Sequence, residues 1–294
     1  TVVEYVRGPA RIDAALDEGS ARVAISFPED FSKYARTGKP VPLQVIVDGS
    51  DSNTATIALG YLNQALEIAA RRAGLSSVPP AIDVRPRVWY NPKLKSRNFI
   101  VPGLIAVIMA IIAALLTSLT IAREWERGTM EQTISMPVKP AEIIVGKLIP
   151  YFAIGIIDTV MSIVIVVFLF GVPLKGSFFL LMFISSLFMF GGLSLGTLIS
   201  IATKSQLASS QLSVITSYLP ALLLSGFMFS ILNMPIPLQV ITRFIPARYF
   251  VSALKGIFLK GNTAGMLIGD MGLLALFGVL VFVISIKKFK KQVT

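Results

Sequence analysis

Five stretches of almost unbroken apolar side chain set the outer limits on what this chain can be. They cover residues 99–122, 148–170, 178–202, 207–227 and 265–286. Each is about 20 residues or longer, enough for a helix to cross about 30 Å of hydrocarbon. Hydrophobic residues make up 54% of the chain and charged residues 15%, with a mean hydropathy of +0.75, which is too little charge for a soluble domain of 294 residues. The chain is therefore expected to be an α-helical polytopic membrane protein with five visible spans.

Residues 1–97 have a different texture and are expected to fold as a separate α/β domain. Arg22–Phe27 (RVAISF) and Pro42–Asp48 (PLQVIVD) alternate as short strands, the second ending in the turn signal Asp48-Gly49-Ser50-Asp51. A helix fits 54–73, with Ile57, Tyr61, Leu62, Ala65, Leu66 and Ala69 at helical spacing and Gly74 as its C-terminal glycine. Val84–Tyr90 reads as a third strand, placed at a sheet edge by Pro86, and Ile12–Leu16 as a short helix before the first.

Residues 123–147, REWERGTMEQTISMPVKPAEIIVGK, form a polar loop between the first two spans. Glu124-Trp125-Glu126-Arg127 continues the first span and Gly128 ends or kinks it. Thr129-Met130-Glu131-Gln132 has the form of a capping box that opens a short helix, with Met130 and Ile134 on one face and Pro137 stopping it. Pro140 suits the first turn of the following helix, with Glu142 at its positive end. A stiff short helix held between two spans transmits a push; a solvated loop anchored by snorkelling charges is the plainer alternative.

Residues 228–262 are apolar but broken by Pro235, Pro237 and Pro246 and carry Arg243, Arg248, Lys255 and Lys260. They fit a re-entrant pair of short helices rather than a spanning one. Lys and Arg in the polar loop, Lys204, and Lys287, Lys288, Lys290 and Lys291 of the tail place those segments in the cytoplasm. The domain at 1–97 is then extracytoplasmic and the C-terminus cytoplasmic. A span preceding Thr1 would carry that domain outward, giving six in the intact protein.

The net charge of +11 fits basic loops against anionic lipid better than nucleic acid, for which no binding motif is present. With no Cys and no His, thiol and imidazole chemistry are excluded, and no metal site is expected. No phosphate-binding G-x-x-x-x-G-K-[ST] occurs, so no catalytic residues are assigned and ATP is not expected to bind here. Among ionisable groups in spans, Asp158 either lines a pathway, binds a cation or pairs across the bundle, while Asp270 lies near an interface. The two aspartates lack the full contexts of an intramembrane aspartyl protease. A membrane-anchored sensor or scaffold, whose outer module binds a ligand without transport, is the other class. Arg248 and Tyr249 are candidates for a gate, with capping of helix carbonyls by Arg248 as the alternative.

Glu126-Arg127-Gly128-Thr129-Met130-Glu131-Gln132, followed by Pro137-Val138-Lys139-Pro140 and Gly146-Lys147, closely resembles the signature of ABC-2-type transporter permeases. The nearest subgroup is the bacterial drug-exporter-like one with a large extracytoplasmic domain after its first span. VIVDGSDSNT at 45–54, YNPKLKSRNFIVPGLIA at 90–106, and the segment 225–261 with Ser225-Gly226-Phe227, Asn233-Met234-Pro235 and Ile245-Pro246-Ala247-Arg248-Tyr249 agree with it. The family's first span is absent. The resemblance implies a plasma-membrane permease (inner membrane in a Gram-negative cell) that pairs with a second permease subunit as a homo- or heterodimer. It further implies a cytoplasmic ABC ATPase that holds ATP and Mg, outward movement of a lipophilic or amphipathic compound, and room for a periplasmic adaptor. Arg123, Glu124, Glu126, Arg127, Gly128, Thr129, Glu131 and Gln132 would form the coupling surface.

Overall fold

The structure, a computed structural model, describes residues 5–6, 9–17, 20–31, 33, 41–72 and 82–289. The expected glycine cap Gly74, the side chain of Ile134, and Lys290 and Lys291 of the tail lie outside what is described. The chain divides into two compact units, Thr1–Phe99 and Ile100–Thr294.

The first unit contains α1 (Pro9–Asp17), β1 (Val23–Ser26), β2 (Val41–Asp48), α2 (Ser52–Arg72) and β3 (Ile82–Trp89). The sheet order is β1-β2-β3, with β1 antiparallel to β2 (Val23 opposite Val47) and β3 parallel to β2 (Val41 opposite Ile82). A parallel neighbour needs a crossover, and α2 supplies it. Pro86 sits on the edge strand β3, where its missing N–H costs no ladder bond. Alternation along β2 buries Leu43, Val45 and Val47 and leaves Gln44 exposed.

These residues form a core with Ala55, against which Leu59, Leu62 and Leu66 of α2 pack. The expected inward face of α2 is thus half right: Leu62 and Leu66 point in, but Ile57 and Tyr61 are 45% and 69% exposed. The turn fixes this rotation. Asp48 is buried, accepting from Ser50 N (2.9 Å) and from Arg22 Nη1 (3.3 Å). Asp51 then caps α2, accepting from Asn53 N and Thr54 N at 3.1 Å each and from Thr54 Oγ1 at 2.7 Å. A helix started there turns Ala55 inward first, and the inward stripe follows from it.

The second unit follows α3 (Ser96–Glu126), α4 (Met130–Ser135), α5 (Pro140–Val164), α6 (Phe178–Thr203), α7 (206–223), α8 (Ile236–Thr242), α9 (Pro246–Lys255) and α10 (Ile268–Lys288). Helix α5 continues through a π turn at Ile165–Leu169, α7 contains one at Val214–Tyr218, and α9 continues through one at Gly256–Lys260. Among the described residues four helices are long and apolar enough to cross a membrane: Ser96–Glu126, Pro140–Leu169, Phe178–Thr203 and Ala264–Lys288. The segment expected as a span at 207–227 is helical only to Leu223, and a turn with Gly226 at φ +80° follows. It is not one of the four because Gln206, Ser209, Ser210, Gln211, Ser213, Thr216 and Ser217 make it too polar. The segment 228–262 folds as the expected two short helices, α8 and α9.

Helix α6 is the element the others are built against. Its Gly191-Gly192-Leu193-Ser194-Leu195-Gly196 run replaces side chain with close backbone contact. A Cβ at Gly196 would lie 2.4 Å from the carbonyl oxygen of Ala114 on α3, and one at Gly192 would lie 2.9 Å from Ala113 Cβ. On another side, a Cβ at Gly191 would come within 3.0 Å of Phe277 and 3.6 Å of Gly278 Cα on α10. Met189 packs on Gly155 of α5, and Phe188 stacks on Phe250 of α9 with centroids 4.2 Å apart. Hydroxyls stitch the same seams: Thr117 Oγ1 donates to Leu193 O (3.0 Å), Ser285 Oγ to Ser194 O (3.3 Å), and Ala122 N donates to Ser200 Oγ (2.8 Å).

Gly196→Ala is expected to lower the unfolding free energy by about 1–3 kcal/mol, the cost of overpacking a close contact. Gly146→Ala on α5, where a Cβ meets nothing within 4 Å, is expected to be neutral or slightly stabilising. Thermal melting of the two variants in detergent checks the difference.

Candidate functional site

The polar loop of the sequence is mostly helix. Arg123, Glu124 and Glu126 belong to the last turn of α3, and Pro140–Lys147 to the first turns of α5, so only 127–129 and 136–139 lie between helices. Gly128 terminates α3 with φ +71°, a left-handed conformation that costs a residue with a Cβ about 1–2 kcal/mol, and Gly128 N donates to Trp125 O at 3.2 Å. The capping box expected of Thr129 and Gln132 does not form. Thr129 already has helical dihedrals (φ −77°, ψ −11°), and its hydroxyl reaches back to Glu124 O at 3.4 Å. With three residues between helices, the backbone has no room for the extended cap that such a box needs. The reciprocal bond occurs one helix later, where Lys139 N donates to Glu142 Oε2 at 2.8 Å and Pro140 opens α5.

The charges around α4 divide into two sets. Glu124 pairs with Lys147 of α5, both side chains being largely shielded. Glu126 accepts from Gln206 N at 2.7 Å and from Gln206 Nε2 at 2.5 Å, while Arg123 Nε donates to Gln206 Oε1 at 3.3 Å. Gln206 is the first residue of α7, so the carboxylate of Glu126 satisfies a free helix amide at the positive end of that helix. Lys204, the left-handed residue that closes α6, lies with Nζ 4.3 Å from the centre of the Trp125 ring. These contacts bolt the end of α3 to α5 and to the α6–α7 turn. The second set faces out: Arg127, Gly128, Thr129, Glu131 and Gln132 are exposed, while Met130 is fully buried and anchors α4.

Of the expected coupling residues, then, Arg123, Glu124 and Glu126 hold the bundle together and the other five form an open surface. Gln206, Lys204, Trp125 and Lys147 complete the bracket. Sequence reasoning passed over Gln206; its signal was the polar break Thr203-Lys204-Ser205 at the start of a new helix.

The expected gate residues lie elsewhere. Arg248 Nη1 donates to Thr242 Oγ1 at 2.6 Å, and Tyr249 Oη to Arg243 O at 2.6 Å. Both staple the joint between α8 and α9, so Arg248 grips a hydroxyl rather than helix carbonyls. Asp158 lies on α5, and its Oδ2 is sealed from solvent without a hydrogen-bond partner. Among the described residues no hydrogen bond or ion pair joins Asp158 to Arg248, Tyr249 or Asp270, and no group of three or more acidic residues could hold a metal ion.

Residues 2–287 match the family described as ABC-2 family transporter protein. The chain belongs to that family. It is 41% identical over 259 residues to the probable multidrug ABC transporter permease YbhS of Escherichia coli K12, covering 87% of this chain and 69% of that protein. It is 33% identical to the probable multidrug ABC transporter permease YbhR of the same organism over 88% of this chain and 71% of the relative. The inner membrane transport permease YhhJ of E. coli K12 is 29% identical over 96% of this chain and 76% of its own length. The match spans both the α/β unit and the four helices that are long and apolar enough to cross a membrane.

Glu126→Ala removes the acceptor for the first amide of α7. Hydrogen exchange at Gln206 and Leu207 is expected to accelerate about three- to tenfold, as for a lost helix cap, with exchange at the buried centre of α6 unchanged.

Proposed function

We propose that this chain is the permease subunit of an ATP-driven exporter, working as a dimer with a second permease and driven by a separate cytoplasmic ATPase. The ATP and Mg are held by that partner. The observation that carries the reading is the bracket around α4. A six-residue helix with a buried Met130 and an exposed Glu131 and Gln132 is fixed at both ends to membrane-crossing helices. Force applied to its outer surface reaches α5 through Glu124–Lys147 and α7 through Glu126–Gln206, with little slack to absorb it.

In this reading α4 faces the cytoplasm, the α/β unit lies outside, and a periplasmic adaptor is a further partner to look for. The names of the YbhS and YbhR relatives favour a drug-like lipophilic or amphipathic cargo. Closure of the ATPases on ATP would tilt the bracketed helix ends and alternate the pathway between inward- and outward-open states. The sensor alternative needs no ATPase, and stoichiometric co-purification with an ABC ATPase separates the two.

Two substitutions test the docking surface directly. Glu131→Lys reverses a charge on the exposed face and leaves the bracket intact. Gly128→Pro demands φ near −65° where the chain has +71°. Both are expected to lose most ATPase co-purification and to reduce cargo-stimulated hydrolysis about tenfold, on the scale of one lost interfacial anchor. Unchanged recruitment and transport in both would overturn the placement of the docking surface.

A further inference from the structure

Asp158 is a carboxyl that the transmission bracket does not use. It stands eleven residues from Lys147 and eleven from Leu169 along α5. At about 1.5 Å per residue this places it about 16 Å from either end of the apolar stretch, near the middle of about 30 Å of hydrocarbon. Its Oδ2 is shut off from solvent and meets no donor. The neighbouring hydroxyl is committed elsewhere, since Thr159 Oγ1 donates to Gly155 O at 2.7 Å.

Among the described residues no ion pair joins Asp158 to a cation of this chain. Residues 100–122, 148–174, 176–203, 205–242 and 261–286 contain neither Lys nor Arg, and in the broken segment Arg248 is held by Thr242 Oγ1 (2.6 Å) and Lys255 by Gly226 O (3.0 Å). An ionised carboxylate in that setting is costly without an opposite charge, and a cation arriving from outside the protein would supply it. The surface beside Asp158 suits one kind of visitor: Ile154, Ile157 and Met161, one helical turn or less away on α5, are 51%, 64% and 54% exposed. A single negative group bordered by an apolar stripe matches a positive charge wrapped in hydrocarbon.

We propose that Asp158 is the charge-reading residue of a cargo site and that the cargo is a lipophilic monovalent cation such as a hydrophobic amine or phosphonium. The word cargo rests on the transport reading above; the site itself does not. Binding can be measured without an ATPase.

Tetraphenylphosphonium is titrated into the full chain in lipid nanodiscs, with tetraphenylborate as an anion of the same shape. Saturable binding of the phosphonium is expected, weakened at least tenfold in Asp158→Asn and largely restored in Asp158→Glu, with no such dependence for the borate. Equal phosphonium binding by the wild-type chain and Asp158→Asn, or the absence of saturable binding, would overturn the proposal and mark the group as a neutral packing carboxyl. Should the Asn variant fold poorly, labelling of wild-type Asp158 by dicyclohexylcarbodiimide decides the question. Protection by the phosphonium supports the site, and equal labelling with and without it overturns the site. Failure of binding with the ATPase still recruited removes the cation specificity and leaves the transport reading standing. Binding through Asp158 with no ATPase recruited overturns the role as cargo and favours a ligand sensor.

Discussion

The second unit depends on how closely helix backbones can approach α6. In lipid, apolar side chains gain little from leaving one hydrocarbon environment for another, so helix association rests on dispersion, short hydrogen bonds and tight fit. The Gly191–Gly196 run meets that requirement on two sides, toward α3 at Ala113 and Ala114 and toward α10 at Gly278. The hydroxyls of Thr117, Ser200 and Ser285 then reach backbone partners on the facing helix because nothing bulky holds the helices apart. The stacking of Phe188 on Phe250 extends the same support to the broken segment, so the short helices α8 and α9 are carried on a rigid post.

The cytoplasmic end works by a different kind of interaction. Glu124–Lys147 is largely shielded, whereas Glu126–Gln206 lies where water competes and a single exposed contact contributes little. What gives the arrangement stiffness is geometry: one carboxylate accepting from a helix N–H and a side-chain amide N–H together, a guanidinium donating to the oxygen of that same side-chain amide, and an ammonium over the adjoining indole. The ends of α3, α6 and α7 and the second turn of α5 share seven side chains: Arg123, Glu124, Trp125, Glu126, Lys147, Lys204 and Gln206.

Much of this was legible in the sequence because it depends on period and punctuation. The strands at 23–26 and 41–48, the edge position of Pro86, the short helix after Gly128 and the two helices within 228–262 all follow from local signals that tertiary packing did not override. Where expectation failed, two local solutions were nearly equal and a distant contact chose between them. Helix α2 offers two apolar stripes, and the buried Asp48–Asp51 turn picks the one containing Ala55 and Leu59. Thr129 could cap forward or hydrogen-bond backward, and a three-residue link settles it. Gln206 carried no motif at all; its importance arises from a residue 80 positions away.

The three π turns give the bundle a mode of movement that ordinary helices lack. Each holds one residue more than an α turn, and that surplus can migrate along the helix one position at a time. Each step turns only the residue that the surplus passes, by about 100° and about 1.5 Å, and leaves the register beyond it unchanged. At 165–169, 214–218 and 256–260 a shift of this kind would re-aim single side chains while the helix ends and the glycine-packed post kept their places.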